Sequence, residues 1–285
     1  MPSDPPTWGS DKRPVVPDPA RERAVRPPPV PAGLAGRIAG YAWGRDLVGE
    51  SGGAVHRLHA RGRPTLYLKH GTGAVAADIA DEHARLRWFG EHLPVPRVEC
   101  FLAEPDEAWL LTTALEGRTA HQLLTEDPDQ AIPVVRAIAA FLRDLHALPA
   151  DRCPFNGAHP LRLAHARRRL DRGEVDADDF GDDHTGWTPH RLWDHMIGLL
   201  PFAPDPVVTH GDWSLDNILL DGGRVAGCID LGRAGVADRY QDLAILHDCL
   251  GEFDLALQDE LWRAYGVEQP DRRKLDFHLC LDEFF

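Results

Sequence analysis

Cysteine is scarce and scattered in this chain of 285 residues. Its five cysteines are widely spaced and none forms a C-x-x-C pair, so neither a disulfide framework nor a cysteine-ligated zinc site is predicted. The sequence contains no run of about 18 apolar residues, which argues against a transmembrane helix. The N-terminus lacks the apolar stretch of a secretory signal. These absences predict a reduced, cytoplasmic protein with no membrane partner.

Positively charged residues are also few compared with acidic residues. The chain has 31 lysines and arginines against 45 acidic residues, a formal net charge of −14. A chain with this charge repels the phosphate backbone of nucleic acids, so no nucleic-acid partner is expected. The same excess of acids favours a cationic ligand.

Proline is concentrated at the N-terminus, where residues 1–31 hold ten of the 24 prolines. This composition predicts a disordered leader over residues 1–33. Residues 34–113 contain β-rich runs and one helical pattern over 78–92, in which Ile79, Leu86 and Phe89 lie near helical spacing, and residues 114–118 form a predicted hinge. Within 119–285, apolar residues recur at three- and four-residue steps over 132–148, a spacing typical of an amphipathic helix. Further helical patterns lie at about 161–172, 188–200, 238–250 and 254–265, and near the C-terminus. The predicted fold class is therefore α+β, with a five-stranded antiparallel N-terminal lobe and a mostly helical C-terminal lobe.

The most specific motif has the form H-x-D-x4-N and runs from His210 to Asn217. A D-x-G motif begins at Asp230. This is the order of the catalytic and metal-binding loops of kinases. Asp212, the acid of the first motif, is the predicted catalytic residue, because a carboxylate can align a hydroxyl and take its proton. Asn217 and Asp230 are the predicted metal ligands, because magnesium prefers hard oxygen atoms.

An ion pair is predicted in the N-terminal lobe. Lys69 lies at the end of a β-rich run, from which its ammonium can reach phosphate oxygens. Glu82 lies in the following helix and can pair with Lys69, which would fix the direction of the lysine. Taken alone, each residue favours the simpler interpretation of an ordinary surface charge.

Two further segments are candidates for nucleotide contacts. Ser51, Gly52 and Gly53 lie between the first two β-rich runs, where small residues let main-chain N–H groups approach a phosphate. The simpler interpretation of this glycine pair is a hairpin turn. Thr113 and Leu115 lie at the hinge and could offer main-chain groups to adenine.

Together these motifs resemble the aminoglycoside 3'-phosphotransferases, and most of all their type I branch. The resemblance extends from about residue 35 to the C-terminus, and it includes the stretches Asp238-Arg239-Tyr240-Gln241-Asp242-Leu243-Ala244 and Leu281-Asp282-Glu283-Phe284-Phe285. It implies a bilobal fold like that of eukaryotic protein kinases. It also implies ATP- and Mg²⁺-dependent transfer of the γ-phosphoryl group to the 3'-hydroxyl of aminoglycosides such as kanamycin and neomycin, which confers resistance.

A polycationic substrate is consistent with the distribution of acids. Residues 174–183 hold six acids; taken alone, this run favours a solvated loop, but beside a kinase site it favours a substrate flap. Asp248 and Glu252 lie one helical turn apart, and further acids lie at the C-terminus. Carboxylates bind ammonium groups through charge-assisted hydrogen bonds. The resemblance also assigns an active-site arginine and two C-terminal groups that bind substrate. The predicted substrate-binding residues are Arg233, Asp182, Asp183, Asp248, Glu252, Glu283 and the carboxylate of Phe285.

The sequence leaves several alternatives open. The acceptor could be choline, a homoserine-type alcohol or another antibiotic, although the acidic C-terminus argues against neutral or anionic acceptors. An inactive nucleotide-binding regulator would be expected to lack a catalytic or metal-binding residue, and all of these are present. Some relatives have arginine where this chain has Asp248, so the contacts with the central ring of the substrate are open. The expected oligomeric state is a monomer or a weak homodimer.

Overall fold

The computed structural model describes residues 22–47 and 53–285, with Asp182 described by its main chain. These residues form two compact units. The N-terminal unit contains the described residues up to His83 together with Pro96–Ala114. The C-terminal unit contains Ala84–Val95 and Leu115–Phe285.

An antiparallel sheet of six strands forms the N-terminal unit. In chain order its strands are β1 (Glu22–Val25), β2 (Ala42–Asp46), β3 (Ala54–His59), β4 (Leu66–Thr72), β5 (Val98–Glu104) and β6 (Glu107–Thr113). They lie side by side in the order β1-β2-β3-β4-β6-β5. Alternate residues of a strand share one face, which is why Leu66 and Leu68 of β4 are buried together. They pack in one core with Leu34 and Ile38 of helix α1 (Ala32–Ile38).

Strand β1 corrects the sequence prediction of a disordered leader over residues 1–33 and of a five-stranded sheet. Val25 lies opposite Trp43 of β2 and packs against the core. Nε of Arg57 donates to Oε2 of Glu22 at 2.7 Å, which ties β1 to β3. Proline content alone therefore misplaced the start of the ordered chain, because a few residues between prolines suffice for an edge strand. Residues 1–21 of the predicted leader lie outside the described residues.

Helix α2 (Ala74–Phe89) begins in the N-terminal unit and ends in the C-terminal unit. The sequence predicted it over 78–92. It ends before the Leu93-Pro94-Val95-Pro96 segment, whose prolines lack the N–H groups that a helix needs. The residues with helical spacing, Ile79, Leu86 and Phe89, are all buried.

Seven helices of the C-terminal unit follow along the described chain. They are α3 (Ala120–Glu126), α4 (Ala131–His146), α5 (His159–Arg172), α6 (Pro189–Gly198), α7 (Tyr240–Gly251), α8 (Leu255–Tyr265) and α9 (Arg272–Asp282). Apolar periodicity predicted all of them except α3. That short helix begins with a capping box, in which the Thr119 hydroxyl accepts from the N–H of Gln122 and the Gln122 side chain accepts from the N–H of Thr119. Within the described residues, no helix is long and apolar enough to cross a membrane.

Five short strands of the C-terminal unit position its polar motifs. They are β7 (Arg118–Thr119), β8 (Pro206–Thr209), β9 (Ile218–Asp221), β10 (Arg224–Cys228) and β11 (Gly235–Asp238). Strands β10, β9 and β7 pair in that order, and β11 pairs with β8. The loop from His210 to Asn217 thus joins β8 to β9. The loop that contains Asp230 and Arg233 joins β10 to β11.

Candidate active site

The two loops of the C-terminal unit contact each other through Asn217. Its side-chain Nδ2 donates to the carbonyl oxygen of Asp212 at 3.0 Å. Its own carbonyl accepts from the N–H of Ile229 at 3.0 Å. The first bond closes the H-x-D-x4-N loop on itself, and the second holds Asn217 against Ile229, the residue that precedes Asp230. The structure therefore brings together the three residues to which the sequence assigned catalysis and metal binding.

Asp230 has an unusual main-chain conformation. Its φ of +61° is the only positive value for a non-glycine residue in the described chain. Such a conformation costs free energy and is concentrated at functional sites, although aspartate tolerates it better than most residues. A single 3-10 turn over Leu231–Arg233 follows directly. Nε of Arg85 then donates to the carbonyl of Ala234 at 2.7 Å, which anchors the end of the loop.

The Asp212 carboxyl is partly buried among charges of both signs. Burial raises its pKa above the ordinary range of aspartate, and the charges of Asp282 and Asp230 raise it further. Arg233 and His210 act in the opposite direction and lower the pKa. A carboxylate with a raised pKa is a better proton acceptor than an exposed aspartate, which suits a general base.

The carboxylate of Asp242 binds the main chain of the catalytic loop, the segment from His210 to Asn217. The sequence assigned Asp242 no role. It is fully buried at the start of α7. Its Oδ2 accepts from the N–H of His210 at 2.8 Å, and its Oδ1 accepts from the N–H of Gly211 at 2.7 Å. Nε2 of Gln241 donates to the carbonyl of Gly211 at 3.2 Å. These bonds set the path of the main chain immediately before Asp212.

A buried chain of hydrogen bonds continues from Asp242. Nε2 of His146 lies 3.0 Å from Oδ2 of Asp242, and Nδ1 of His146 lies 2.7 Å from the hydroxyl of Tyr265. Arg239 donates to that hydroxyl at 3.3 Å. A carboxylate only accepts, so Nε2 of His146 carries the proton that reaches Asp242. Helices α4 and α8 thereby hold the acceptor on which the catalytic loop rests.

Gly211 has a conformation and surroundings that exclude a side chain. Its φ is +89°, and a Cβ at this position would lie 2.7 Å from the carbonyl carbon of Arg233 and 2.9 Å from its Cβ. We expect Gly211→Ala to lose most activity and to unfold at a lower temperature, because the clash displaces the Asp230–Arg233 loop. Gly198→Ala is the matched control, since that glycine has open space and no positive φ. Thermal melting and turnover of both variants test this, and wild-type behaviour of Gly211→Ala would contradict it.

The chemistry of Asn217 and Asp230 fits a magnesium ion. Both side chains present hard oxygen atoms, the ligands that magnesium prefers. Because Nδ2 of Asn217 is turned to the carbonyl of Asp212, Oδ1 is the atom that this amide can offer to a cation. Magnesium is usually held by one or two carboxylates with substrate phosphates and water. The described residues contain no group of three or more acidic, histidine or cysteine side chains that could hold a metal ion.

The predicted pairing of Lys69 with Glu82 is present in the N-terminal unit. Nζ of Lys69 donates to both carboxylate oxygens of Glu82, at 2.8 and 2.7 Å. Glu82 is buried, with 6% of its surface exposed. A buried carboxylate that contacts the ammonium with both oxygens fixes the direction of the lysine side chain.

The structure describes only some of the other residues predicted to contact the nucleotide. Ser51 and Gly52 lie outside the described residues, and Gly53 forms a bend just before β3. Thr113 ends β6, and its N–H donates to the carbonyl of Arg97 at 2.9 Å. The N–H of Thr113, which the sequence placed at the hinge, is therefore already hydrogen-bonded within the N-terminal unit. Leu115 is the first residue of the longer segment of the C-terminal unit.

The C-terminal tail approaches the catalytic loop through arginines. Arg233 and Arg162 both donate to Oδ1 of Asp282 at 3.2 Å. Both guanidinium groups also lie over the ring of Phe285, at 5.2 and 4.7 Å from its centroid. Since Arg233 and Asp282 both influence the pKa of Asp212, the tail lies beside the candidate catalytic residue. The sequence did not single out Arg162, whose burial lowers its pKa.

Three of the predicted substrate acids lie near Asp248 and form an anionic cluster with it in the C-terminal unit; they are Asp183, Glu252 and Glu283. Burial raises the pKa of the Asp248 carboxyl, and four neighbouring negative charges raise it further. Asp248 and Glu252 also lie within electrostatic range of Cys249, as does Asp212. Asp182 lies in the same 3-10 turn as Asp183, and its side chain is outside the described atoms. The four acids that act on Asp248 are Glu252, Glu283, Asp183 and Asp282.

Comparison with known proteins defines the class. The sequence model of the phosphotransferase enzyme family matches residues 43–278. With the kinase order of the two loops, this defines a phosphotransferase of the protein-kinase-like fold. The predicted α+β fold class is thereby confirmed.

Comparison with individual relatives identifies the kind of phosphotransferase more closely. An aminoglycoside 3'-phosphotransferase of Escherichia coli is 52% identical over 266 residues, which are 93% of this chain and 98% of that protein. The crystal structure of an aminoglycoside-3'-phosphotransferase of type VIII is 35% identical, with a TM-score of 0.79 over 89% of this chain and 97% of that one. The structure of aminoglycoside phosphotransferase APH(3'')-Id from Streptomyces rimosus in complex with ADP and streptomycin is 30% identical, with a TM-score of 0.72 over 83% and 94% of the two chains. The chain belongs to the aminoglycoside 3'-phosphotransferase family, and the predicted enzyme class, a kinase of this family, is confirmed.

Proposed function

We propose that this protein transfers the γ-phosphoryl group of ATP to the 3'-hydroxyl of aminoglycosides such as kanamycin and neomycin. The sequence resemblance to the type I branch supports this acceptor class. The relative from Streptomyces rimosus binds ADP and streptomycin, which supports a nucleotide and an aminoglycoside as the two substrates. The reaction gives ADP and a phosphorylated antibiotic, and the modification confers resistance. We further propose a cytoplasmic location, where ATP is available, and a monomer or weak homodimer.

Asp212 is the proposed catalytic residue. Its carboxylate accepts a hydrogen bond from the 3'-hydroxyl, aligns that oxygen with the γ-phosphorus and takes its proton as the new O–P bond forms. The transition state of phosphoryl transfer is loose, so alignment and neutralisation of charge contribute most of the rate. Arg233 lies beside Asp212 and can stabilise charge on the transferred group.

Nucleotide binding is assigned to Lys69, Asn217 and Asp230. Lys69, directed by Glu82, contacts phosphate oxygens of ATP. Asn217 and Asp230 would hold Mg²⁺, which would supply positive charge to neutralise the phosphate oxygens. Main-chain groups near Ser51, Gly52, Gly53, Thr113 and Leu115 complete the nucleotide contacts.

Substrate binding is assigned to the anionic cluster. Aminoglycosides carry several ammonium groups, and the repulsion between neighbouring carboxylates in this cluster is relieved when cations neutralise them. Glu283 and the terminal carboxylate of Phe285 are proposed to bind ammonium groups closest to the reacting ring. The other proposed contacts are Asp182, Asp183, Asp248 and Glu252.

One observation carries this proposal: Arg233 of the second loop donates to Asp282 at 3.2 Å, and Asp282 acts electrostatically on both Asp212 and Asp248 of the anionic cluster. The test is a mass-shift assay with ATP, magnesium and a pair of aminoglycosides that differ only in the 3'-hydroxyl. We expect one added phosphate on kanamycin and none on the analogue that lacks the hydroxyl. Equal modification of both compounds would rule out 3'-transfer.

Lys69→Met is expected to impair use of ATP selectively. A hydrogen bond to a charged group contributes about 1.5–3 kcal/mol, so kcat/KM for ATP should fall about 10- to 150-fold. The equilibrium dissociation constant for kanamycin should stay unchanged, because Lys69 is assigned only to phosphate. Arg61→Met, a change to an exposed cation in the turn between β3 and β4, is the control. A normal kcat/KM for ATP in Lys69→Met would refute the assignment.

A further inference from the structure

A histidine outside the predicted site contacts the tail at Glu283. Nδ1 of His184 lies 3.0 Å from Oε1 of Glu283. The N–H of Gly181 approaches the two oxygens of the same carboxylate at 3.1 and 3.3 Å. Gly181 and His184 belong to one turn, because the N–H of His184 donates to the carbonyl of Gly181 at 2.9 Å. A single short segment thus holds the Glu283 carboxylate at two points.

Both ring nitrogens of His184 have a partner. A carboxylate only accepts, so Nδ1 of His184 donates to Glu283. Nε2 lies 3.6 Å from Sγ of Cys280. Burial raises the pKa of the Cys280 thiol to about 12, so the thiol keeps its proton beside Nε2. These two contacts fix the orientation of the imidazole ring, and with it the direction of the bond to Glu283.

Packing fixes both partners of this contact. The ring of Trp187 meets the ring of His184 edge-on, with centroids 5.0 Å apart. Phe180 on one side and Phe284 on the other are buried in the same apolar core. The histidine and the glutamate are therefore held by neighbouring residues that have little freedom to move.

We infer that His184 is a positioning residue for the aminoglycoside, which orients Glu283 to receive an ammonium group of the acceptor. The inference rests on the proposed function, in which Glu283 binds that group. Oε1 of Glu283 accepts from both His184 and Gly181, whereas Oε2 has the longer contact with Gly181. Oε2 is therefore the oxygen that faces the ammonium. A carboxylate already held in its binding orientation loses less conformational entropy when the ligand arrives.

Steady-state kinetics with kanamycin and ATP test this role. We expect His184→Ala to raise KM for kanamycin about tenfold, the effect of one hydrogen bond to a charged group, while kcat and KM for ATP stay unchanged. His184→Asn should restore most of the wild-type KM, because its amide N–H can take the place of Nδ1–H. His190→Ala, a change to an exposed histidine of α6, should match the wild type.

The outcomes separate this inference from the proposed function. An unchanged or lower KM for kanamycin in His184→Ala overturns the inference, and so does a parallel loss of kcat and ATP binding, which indicates a general structural role. Failure of His184→Asn to recover also overturns it. If the wild-type protein itself transfers no phosphate to kanamycin, the proposed function fails, and that result is visible before any variant is made.

Discussion

Asp212→Asn is expected to lose catalysis while gaining stability. General-base catalysis contributes a factor of about 10²–10⁴, and an amide cannot accept the proton of the 3'-hydroxyl, so kcat should fall within that range. Burial and the charges of Asp282 and Asp230 raise the pKa of Asp212. The folded protein therefore favours the neutral form of the Asp212 carboxyl. The folding free energy that this carboxyl contributes is lost as pH rises through its raised pKa. A neutral amide should accordingly raise the melting temperature at pH 7.

The pH dependence of kcat in the wild-type enzyme follows from the same upward shift in the pKa of Asp212. The acidic limb of kcat should lie above the ordinary aspartate pKa of about 3.9, because Asp212 must be ionised to accept a proton. Asp221→Asn, a change to an exposed acid at the end of β9, is the control and should alter neither quantity. Near-normal turnover in Asp212→Asn would contradict the assignment, and a lower melting temperature would contradict the argument from burial.

Asp242→Ala is expected to have the largest effect on stability. The side chain is fully buried and accepts from two main-chain N–H groups and from His146. Its removal leaves those buried donors without an acceptor, and loss of one member of such a network costs about 3–5 kcal/mol. The midpoint of urea unfolding should fall accordingly, and turnover should fall with it because His210 and Gly211 lead directly into Asp212.

Asp242→Asn keeps the measurement informative if the alanine variant does not fold. The asparagine retains the shape and one acceptor oxygen, so it should give a smaller loss of stability and a lower kcat in folded protein. Asp144→Ala, at an exposed position of α4, is the control. An unchanged unfolding midpoint and unchanged kcat in Asp242→Asn would show that Asp242 does not hold the catalytic loop.

The sequence could predict the parts of the site that local spacing determines. Asp212 and Asn217 lie in one loop between two short strands, so their proximity follows from the number of residues between them. The pairing of Lys69 with Glu82 follows from a strand and the helix after it. Each helix longer than two turns in the C-terminal unit showed an apolar stripe, because each buries one face against its neighbours.

The remaining features depend on contacts between distant parts of the chain. His146 reaches Asp242 across 96 residues, and His184 reaches Glu283 across 99. No spacing in the sequence relates such pairs. Arg162 resembles any other arginine of a basic helix until Asp282 and Phe285 are placed beside it. Strand β1 was missed because its pairing with β2 and the Arg57–Glu22 ion pair outweigh what proline content indicates.

The position of the phosphate on the product shows which hydroxyl Asp212 aligns. Kanamycin would be converted with ATP and magnesium, and the product analysed by two-dimensional phosphorus–proton NMR. We expect a single phosphate whose phosphorus couples to the proton on C3' of the sugar. Coupling to any other ring proton would contradict this expectation, because Asp212 would then be aligned with a different hydroxyl.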